Sequence, residues 1–547
     1  MSRTKGELRN PPARDHWERV RERLRRRKLF TFALVVLAFF YGTAIYAPLI
    51  ANDRPYALEA IDYGGYEAAR KKIYIATLGL DNVLEKTPSQ YMEGRTTGST
   101  QSYGDALWSE HQALVNAVAT MKRYLPEEDH PPLTDFVDDV ARAVELGVDE
   151  RRQEASRLVF ELRADAKELR TRYRAARPDQ DPSTSGVLLR PDRSYPLFAS
   201  LTAVEVFFMV LWWFVVLSLG RSFFARPSKR IRPARRWGWV LPLGTSLLCG
   251  AVWWMSIGAD ETSYYPEYKS GLAEGDLVAQ FVVFPPIAMG FAETSTELNH
   301  PPSWHASPVT AEEEVGSAGS RGNSHFRPLL GTDGLGRDLL VRSIYGARIS
   351  LSVGLVSTAI LAVIGVLAGA LAGYFGGRVD LLISRLIEVV ICFPVFFLIL
   401  GVVVFVGQSL LTIMIVVGLF RWTGIARLTR AEFLRLKELD FVVAAKALGL
   451  STPRILLRHM LPNAISPLLV AATFSVAAGL SIESALSFLG FGVREPIPSW
   501  GGLVRSSLNP AHWWIQVFPG LLIFMTVLCY NLVGDAIRDA MDPRLPR

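Results

Sequence analysis

Cysteine is scarce in this chain: only Cys249, Cys392 and Cys529 occur among 547 residues. Each of the three falls inside a long apolar run, and none lies in the polar segments between the runs. A disulfide framework is therefore excluded for those polar segments. They must be held together by packing alone.

Motifs for nucleotide, metal and nucleophile chemistry are also lacking. The patterns G-x-x-x-x-G-K-[ST], H-E-x-x-H and C-x-x-C do not occur, so neither a P-loop nor these metal and thiol motifs are present. Three of the eight histidines, His300, His305 and His325, share one loop, where ordinary loop polarity is favoured over a metal site. We predict no catalytic residue and no metal site.

Long apolar runs are abundant, since half of the residues are hydrophobic and the mean hydropathy is +0.22. A helix needs roughly 20 apolar residues to cross a bilayer core about 30 Å thick. The sequence therefore predicts an all-α, polytopic helical membrane protein with about eight transmembrane helices. The candidate spans are Leu29–Ile50, Leu197–Leu219, Trp237–Ile257, Ile349–Tyr374, Leu382–Val406, Leu410–Ala426, Ile465–Leu489 and Trp513–Val533. The first run is long and follows a basic arm, so we interpret it as an anchor and not as a cleavable signal peptide.

Lysine and arginine cluster in four places: the N-terminal arm, the loops after the second and sixth spans, and the C-terminal tail. With eight spans, all four clusters fall on one side of the membrane, and the positive-inside rule makes that side cytoplasmic. Both termini are therefore expected in the cytoplasm, and the net charge of +7 is a topology signal. We expect contact with membrane lipid and no binding of nucleic acid.

The positions of the spans and of the segments between them divide the chain into six predicted parts. These are a cytoplasmic basic arm at 1–28, a first span at 29–50, an extracytoplasmic helical domain at 51–195, two spans with a basic loop at 196–257, a second extracytoplasmic segment at 258–345, and a membrane core at 346–547 with a cytoplasmic loop at 430–463.

For the extracytoplasmic domain, the sequence predicts a helical bundle. Four of its stretches carry apolar residues at helical spacing, and antiparallel helices joined by short loops form bundles. The predicted helices are Tyr66–Leu84, Asp105–Leu125, Leu133–Leu146 with Thr134 as its N-cap, and Asp149–Ala176.

The second extracytoplasmic segment is rich in proline and is expected to be mostly irregular. It ends in GTDGLGRD at 331–338, directly before the fourth span. Thr332 or Asp333 is expected to cap the helix that follows, with Arg337 and Asp338 in its first turns.

The segment Glu432–Asn463 is charged and amphipathic, and it lies between two spans. Asp440 is expected to cap a helix over Phe441–Leu448, which Gly449 ends in a left-handed conformation. Ser451 is expected to cap the next helix, with Pro453 in its first turn. Small side chains at 444, 445 and 447 leave a surface that another protein's backbone can approach closely. The alternative is an ordinary amphipathic helix at the membrane surface.

The stretch VAAKALGLSTPRILLRHMLPN at 443–463 resembles the cytoplasmic loop of ATP-binding-cassette (ABC) importer permeases. Ala444, Ala445, Gly449, Leu461 and Pro462 fall on the pattern of that loop. Val443 stands where glutamate is usual and His459 where isoleucine is usual. The ending RHMLPN is similar to the dipeptide/oligopeptide/nickel subfamily.

Three further stretches resemble the second permease subunit of that subfamily: 331–351, 483–501 and 531–545. Together the four stretches cover roughly residues 325–547. Compared with the usual six-span subunit, we expect two extra N-terminal spans that enclose the bundle.

The resemblance implies a transport subunit of the bacterial inner membrane and not an enzyme. It implies half of a pathway for peptides or similar small solutes, a second permease subunit in a heterodimer, two ATPase subunits and an extracytoplasmic binding protein. ATP and Mg are expected on the ATPase subunits, and no cofactor on this chain. Alternating access is expected to be coupled to the ATPases through Asp440, Val443, Ala444, Ala445, Ala447, Gly449, His459, Leu461 and Pro462.

Two further groups are candidate site residues. Glu388 and Glu483, charged residues within spans, are candidates for the translocation path, with interhelix pairing as the alternative and Arg385 as the partner of Glu388. Candidates for an extracytoplasmic gate or a binding-protein contact are Gly331, Thr332, Asp333, Gly336, Arg337, Asp338, Pro498 and Trp500. For Gly331–Asp338, a capped surface helix is the alternative. A sensory protein with the bundle as its input module is the alternative function.

Overall fold

A computed structural model describes residues 16–86, 103–149, 151–176, 186–223, 240–256, 268–295, 297–303 and 328–541. Several sequence features lie outside these ranges, including most of the basic loop after the second span and the histidines at 305 and 325.

The chain begins with a short basic helix and one apolar helix. These elements are α1 (His16–Arg26), α2 (Lys28–Ile45) and α3 (Ala47–Ile50), followed by strand β1 (Ala57–Asp62). The inserted bundle comes next, with α4 (Tyr63–Leu84), α5 (Tyr103–Tyr124), α6 (His130–Val148) and α7 (Arg152–Arg172). Then follow β2 (Asp192–Ser194), α8 (Pro196–Ala199), α9 (Ala203–Phe223), α10 (Val240–Ser256), α11 (Tyr268–Glu274) and β3 (Leu277–Val283).

The rest of the chain is helical. It contains α12 (Leu339–Phe375), α13 (Gly377–Ile391), α14 (Val395–Val406), α15 (Leu410–Arg421), α16 (Thr423–Lys437), α17 (Asp440–Ala447), α18 (Thr452–Arg454), a π-helical turn at Ile455–Met460, α19 (Leu461–Leu489), α20 (Trp500–Arg505) and α21 (Trp513–Met541).

The described residues contain five helices that are long and apolar enough to cross a membrane: α2, α9, α12, α19 and α21. Two bent pairs, α13 with α14 and α15 with α16, raise the number to seven, and α10 supplies a further apolar helix of 17 residues. This confirms a polytopic helical membrane protein, with up to seven spans among the described residues and α10 as the candidate for the eighth. The predicted span Leu382–Val406 is broken by a bend of 81°. Pro394 lies at that break, where a residue without a backbone N–H begins α14.

The inserted bundle has the four helices that the sequence predicts. One apolar core joins them, with Tyr66, Leu107, Met121, Val140 and Ala166 among its buried side chains. Thr134 is not the N-cap of α6, because the helix begins four residues earlier and the Thr134 hydroxyl donates to the carbonyl of His130 inside it.

A small antiparallel sheet, in the order β2–β1–β3, lies at the base of the bundle. The second outside segment was predicted to be mostly irregular, but it contains α11 and β3. Alternate residues of β1 are buried, and Leu58 and Ala60 pack with Tyr268 and Leu277. Because β1 precedes the bundle, β2 follows it and β3 follows α10, the sheet ties three distant parts of the chain together.

A strap at 287–303 connects this sheet to the motif at 331–338. Main-chain N–H groups of Ser295 and Asn299 donate to Gly336 and Asp333, and Thr332 donates back to His300. At its start, the N–H of Ile287 donates to the carbonyl of Ile50 at the end of α3. The strap therefore fixes the bundle to the membrane region through the motif.

Helix α12 is the central element of the membrane region, about 55 Å long at 1.5 Å per residue. It packs on α16, α15 and α19, and its glycines permit close approach. A Cβ at Gly369 would lie 2.4 Å from the carbonyl oxygen of Ala426 on α16. Helix α2 packs against α12 and α21, with the Tyr41 and Tyr530 hydroxyls 2.6 Å apart. The first span is therefore integral to this helical core.

Candidate functional site

Two groups of predicted residues lie at opposite ends of α12. The loop helix α17 lies near its C-terminal end, and the motif 331–338 directly precedes its N-terminal end. We call the end of α12 near α17 the loop end and the end near residues 331–338 the motif end.

The loop helix has the predicted length of eight residues and begins one residue earlier than predicted. Leu439 is its N-cap, so Asp440 lies in the first turn and does not cap it. Gly449 has φ +70°, and its N–H donates to Lys446 while that of Leu450 donates to Ala445. This pair of bonds is a Schellman motif, which ends the helix sharply as predicted. Ser451 is the N-cap residue of α18, although its side chain forms no capping bond.

The exposed face of α17 carries mainly short apolar side chains, with Asp440 at its start. Val442 and Ala445 are buried against the core, whereas the side chains at 443, 444, 447 and 448 are exposed. Leu448, the C-cap residue of α17, is 80% exposed. Of the other predicted coupling residues, His459 lies in the π-helical turn, and Leu461 and Pro462 begin α19. The arrangement leaves an apolar docking surface on a rigid helix–turn–helix.

At the motif end, the helix begins later than predicted. Asp338 is the N-cap of α12, and its Oδ1 accepts from the N–H groups of Leu340 (2.7 Å) and Val341 (3.1 Å). Thr332, Asp333 and Arg337 therefore lie in the preceding turn, which corrects the predicted capping by 332 or 333. Burial raises the pKa of Asp338 to about 6, although the two backbone bonds oppose that shift.

Asp333 organises this turn instead of capping a helix. Its Oδ1 accepts from the N–H groups of Leu335 and Arg337, and its Oδ2 accepts from Arg337 Nε at 2.7 Å. Gly336 has φ +74°, and a Cβ there would lie 2.1 Å from the carbonyl oxygen of Ser295. Glycine is required at this position both for its backbone conformation and for the close approach of the strap.

Arg337 joins the turn to the chain beyond α19. Its Nη1 donates to Glu495 at 3.1 Å, and the buried Arg342 lies 3.6 Å from Asp333 and 3.8 Å from Glu495. Burial alone would lower the pKa of Arg337, but its bonds to Glu495 and Asp333 raise it. We call Asp333, Arg337, Arg342 and Glu495 the polar clamp. Arg342 and Glu495 are not among the residues predicted from the sequence, and no local pattern signals the Arg337–Glu495 contact across 158 positions.

Pro498 and Trp500 are buried beside the clamp. The indole of Trp500 donates to the carbonyl of Ser343 at 2.9 Å and packs edge-on against Phe40. Trp514 donates to the carbonyl of Thr332 at 3.2 Å. The predicted gate residues are thus brought together at the motif end, and their role stays a prediction.

The two glutamates within spans have different surroundings. Glu388 is exposed on α13 and pairs with Arg385 at 2.7 Å, the partner expected for it. Glu483 is fully buried and accepts from Ser350 at 2.9 Å and from Ser487 at 2.7 Å. Glu205 on α9 pairs with Arg348 on α12 at 2.7 Å, which joins the second span to the core.

The fold and both ends of α12 define a helical membrane protein with a compact helix–turn–helix loop between two of its spans. Residues 365–547 match the family described as the inner membrane component of binding-protein-dependent transport systems, and residues 16–70 match the N-terminal TM domain of oligopeptide transport permease C. The dipeptide transport system permease DppC of Bacillus subtilis is 40% identical over 220 residues, which cover 40% of this chain and 69% of that protein. OppC of Escherichia coli K12 is 38% identical over 270 residues, with 49% and 84% covered.

The chain therefore belongs to the dipeptide/oligopeptide permease family of ABC importers. A solved structure of the MetNI methionine ABC transporter, in an inward facing conformation, also matches. The match covers 37% of this chain and 96% of the MetNI chain, with 20% identity and a TM-score of 0.32. The match over 16–70 assigns the first span to the family. The expectation that this span is one of two extra spans is corrected accordingly. Residues 71–364, between the two family matches, contain most of the bundle, α9 to α11, strands β2 and β3, and the first part of α12.

Proposed function

We propose that this chain forms half of the translocation pathway of a peptide importer and that separate ATPase subunits drive it through α17. The observation that carries the proposal is the exposed apolar face of α17, held rigidly by its buried residues Val442 and Ala445. An apolar surface with little side-chain bulk suits a protein partner better than it suits water.

The relatives named as dipeptide and oligopeptide permeases support peptides as the substrate class. A second permease subunit, two ATPase subunits that bind ATP and Mg, and a substrate-binding protein complete the proposed importer. The chain itself is proposed to bind no cofactor and to catalyse no reaction.

The proposed orientation places the loop end in the cytoplasm. Arg27 before α2 pairs with Asp539 near the end of α21 at 2.7 Å, so these two residues lie at the same end of the core. Helix α21 starts beside the motif end, since Trp514 bonds Thr332. Both termini are therefore proposed to lie at the loop end, where the basic clusters favour the cytoplasm.

Helix α12 supports a mechanical link between the two ends. It runs without a break from the polar clamp to Tyr374, which contacts α17. Movement of α17 on closure of the ATPases is proposed to be transmitted by α12 and α16 to the motif end. The loop thereby biases a two-state equilibrium between inward- and outward-facing pathways.

Co-isolation tests this function with two exposed leucines. Leu448→Asp places a charge on the α17 face and is expected to abolish recovery of the ATPase subunits with the tagged permease. Leu508→Asp is the matched control, because Leu508 is 66% exposed but follows α20 at the motif end. Equal recovery of the ATPases with Leu448→Asp and the control, or isolation of the permease as a lone homodimer, contradicts the proposal.

A further inference from the structure

The short helix α20 lies across the ends of α12 and α19 at the motif end. It contacts both helices as well as α21. A Cβ at Gly501 would lie 2.3 Å from the carbonyl oxygen of Ser484 on α19, so the two backbones touch. A Cβ at Gly346 on α12 would lie 3.1 Å from the Trp500 ring. At these two points α20 is packed directly against α19 and α12.

A chain of hydrogen bonds runs beneath this contact. The N–H of Trp500, one of the first in α20, has no acceptor within its own helix. It donates to Ser350 Oγ at 3.2 Å, and Ser350 in turn donates to Glu483 Oε2 at 2.9 Å. The other carboxylate oxygen of Glu483 accepts from Ser487 at 2.7 Å.

In this series of hydrogen bonds, the direction in which the Ser350 hydroxyl donates depends on Glu483. Ser350 has one hydroxyl hydrogen, and since it accepts from Trp500 it must donate elsewhere. Its hydroxyl donates to Glu483 Oε2, so Glu483 holds the Ser350 oxygen with its lone pairs towards α20. Among the described residues, no Lys, Arg or His pairs with Glu483. Its side chain is fully enclosed by α12, α19 and the segment that begins α20.

We propose that Glu483 is a positioning residue that seats α20 on α12 through Ser350, and that it does not contact the transported substrate. The proposal deepens the transport function proposed above and rests on it for its second measurement only. The Ser350 bond, the bond of the Trp500 indole to Ser343 and the Arg337–Glu495 bond hold the segment 495–505 to α12 and to the turn that precedes it. This segment therefore moves with α12 when the motif end opens.

Accessibility of a buried position on α20 tests the seating. Leu503 is fully buried, so Leu503→Cys, in a chain with its three native cysteines replaced, is expected to resist a membrane-impermeant maleimide. The full importer in proteoliposomes is the sample. Ser350→Ala removes the acceptor of the Trp500 N–H and leaves Glu483 in place, and Glu483→Leu removes the anchor. We expect each to raise the labelling rate at position 503 by about tenfold or more, since an orphaned buried donor favours opening.

Two variants serve as controls. Glu483→Gln keeps one oxygen for Ser350, and its amide can donate to Ser487, whose hydroxyl can turn to its own helix. It is expected to label within twofold of the parent. Ser481→Ala removes a hydroxyl of the same helix that bonds only the carbonyl of Ala477, and it is expected to change nothing.

Uptake of two probes separates positioning from substrate binding. Trialanine has a free amino group, and N-acetyl-trialanine does not. A positioning role predicts that Ser350→Ala reduces uptake of every imported probe by a similar factor and that Glu483→Gln leaves both KM values near the parent. A selective rise in the KM of trialanine in Glu483→Gln, with position 503 still protected, overturns the proposal. Unchanged labelling in both Ser350→Ala and Glu483→Leu overturns it as well. Failure of the parent to import either peptide contradicts the peptide function alone, because the labelling result still stands.

Discussion

The ammonium of Lys446 on α17 lies 5.2 Å from the centre of the Tyr374 ring at the end of α12. A cation above an aromatic face is attracted by the ring's quadrupole. This pair is therefore a direct contact between the loop helix and the longest helix of the core, which begins at the polar clamp.

Loss of the Tyr374 ring is expected to weaken coupling between α17 and α12. Tyr374→Leu removes about 0.5–1 kcal/mol of cation–π attraction, which corresponds to a few-fold change. We expect a few-fold lower ATP hydrolysis when peptide and binding protein are added, with basal hydrolysis unchanged. Tyr374→Phe keeps the ring and is the matched control. A double-mutant cycle with Lys446→Met measures the pair, and additive effects would refute a direct coupling.

Gly449 provides a second prediction at the loop end. Its φ of +70° strains any residue with a Cβ by about 1–2 kcal/mol, and an arginine would also project from the docking surface. We expect Gly449→Arg to insert into the membrane but to lose coupled ATP hydrolysis. Gly449→Asn tolerates the left-handed conformation and is expected to retain most of it. Normal coupling in Gly449→Arg would contradict the assignment of this loop.

Local patterns predicted the loop end better than the motif end. Gly449 ends its helix as predicted, because the left-handed C-terminal residue is a property of a few neighbouring positions. Asp440 and Thr332 are capping-type residues in plausible places, yet Leu439 and Asp338 occupy the cap positions. Asp333 does not cap a helix, because its carboxylate accepts from Arg337. The other partner of Arg337, Glu495, is far away in the sequence.

The small sheet could not be predicted from local sequence patterns either. Strands β1 and β3 pair across more than 200 positions, and β2 has only three residues, so neither periodicity nor turn signals indicate them. The four bundle helices were predictable because each carries its own apolar stripe, which is a local property. What required tertiary contacts, namely the strap, the clamp and the Glu483 chain, could not be predicted from one sequence.

The polar clamp predicts a ranking of stability losses. Arg337 is buried against the buried Asp333, and Arg337→Met leaves that carboxylate only the longer 3.6 Å pair with Arg342, so we expect the larger loss here, up to about 3–5 kcal/mol. Glu495 is 59% exposed, and Glu495→Gln is expected to cost at most about 1 kcal/mol. Thermal unfolding of the detergent-solubilised protein measures both. Equal losses of stability, or a larger loss for Glu495→Gln, would contradict the predicted ranking of the two variants.

Asp338 predicts a pH dependence of stability. Its pKa of about 6 in the folded protein is above the ordinary value of 3.8, so the folded state binds a proton more tightly than the unfolded state. The stabilisation from that proton is complete below about pH 4 and is lost as the pH rises through 6. Asp338→Asn keeps an oxygen that accepts from the two N–H groups but does not titrate. We expect a smaller difference in Tm between pH 5 and pH 7 in this variant, and an unchanged difference would show that Asp338 is ionised throughout.

Removal of the inserted bundle tests whether ATPase attachment needs it. The bundle core is closed within α4–α7 and the residues that flank them, whereas β1 and β2 belong to the sheet that holds the strap. A deletion of 65–188 with a short glycine–serine linker therefore keeps both strands. The α17 face is at the other end of α12, so we expect the ATPase subunits to co-isolate with the shortened permease as they do with the parent. A second deletion that begins at 57 removes β1 and is expected to destabilise the motif end, which lowers the Tm. Loss of the ATPases in the first deletion, with a Tm equal to that of the parent, would show that the bundle takes part in ATPase attachment.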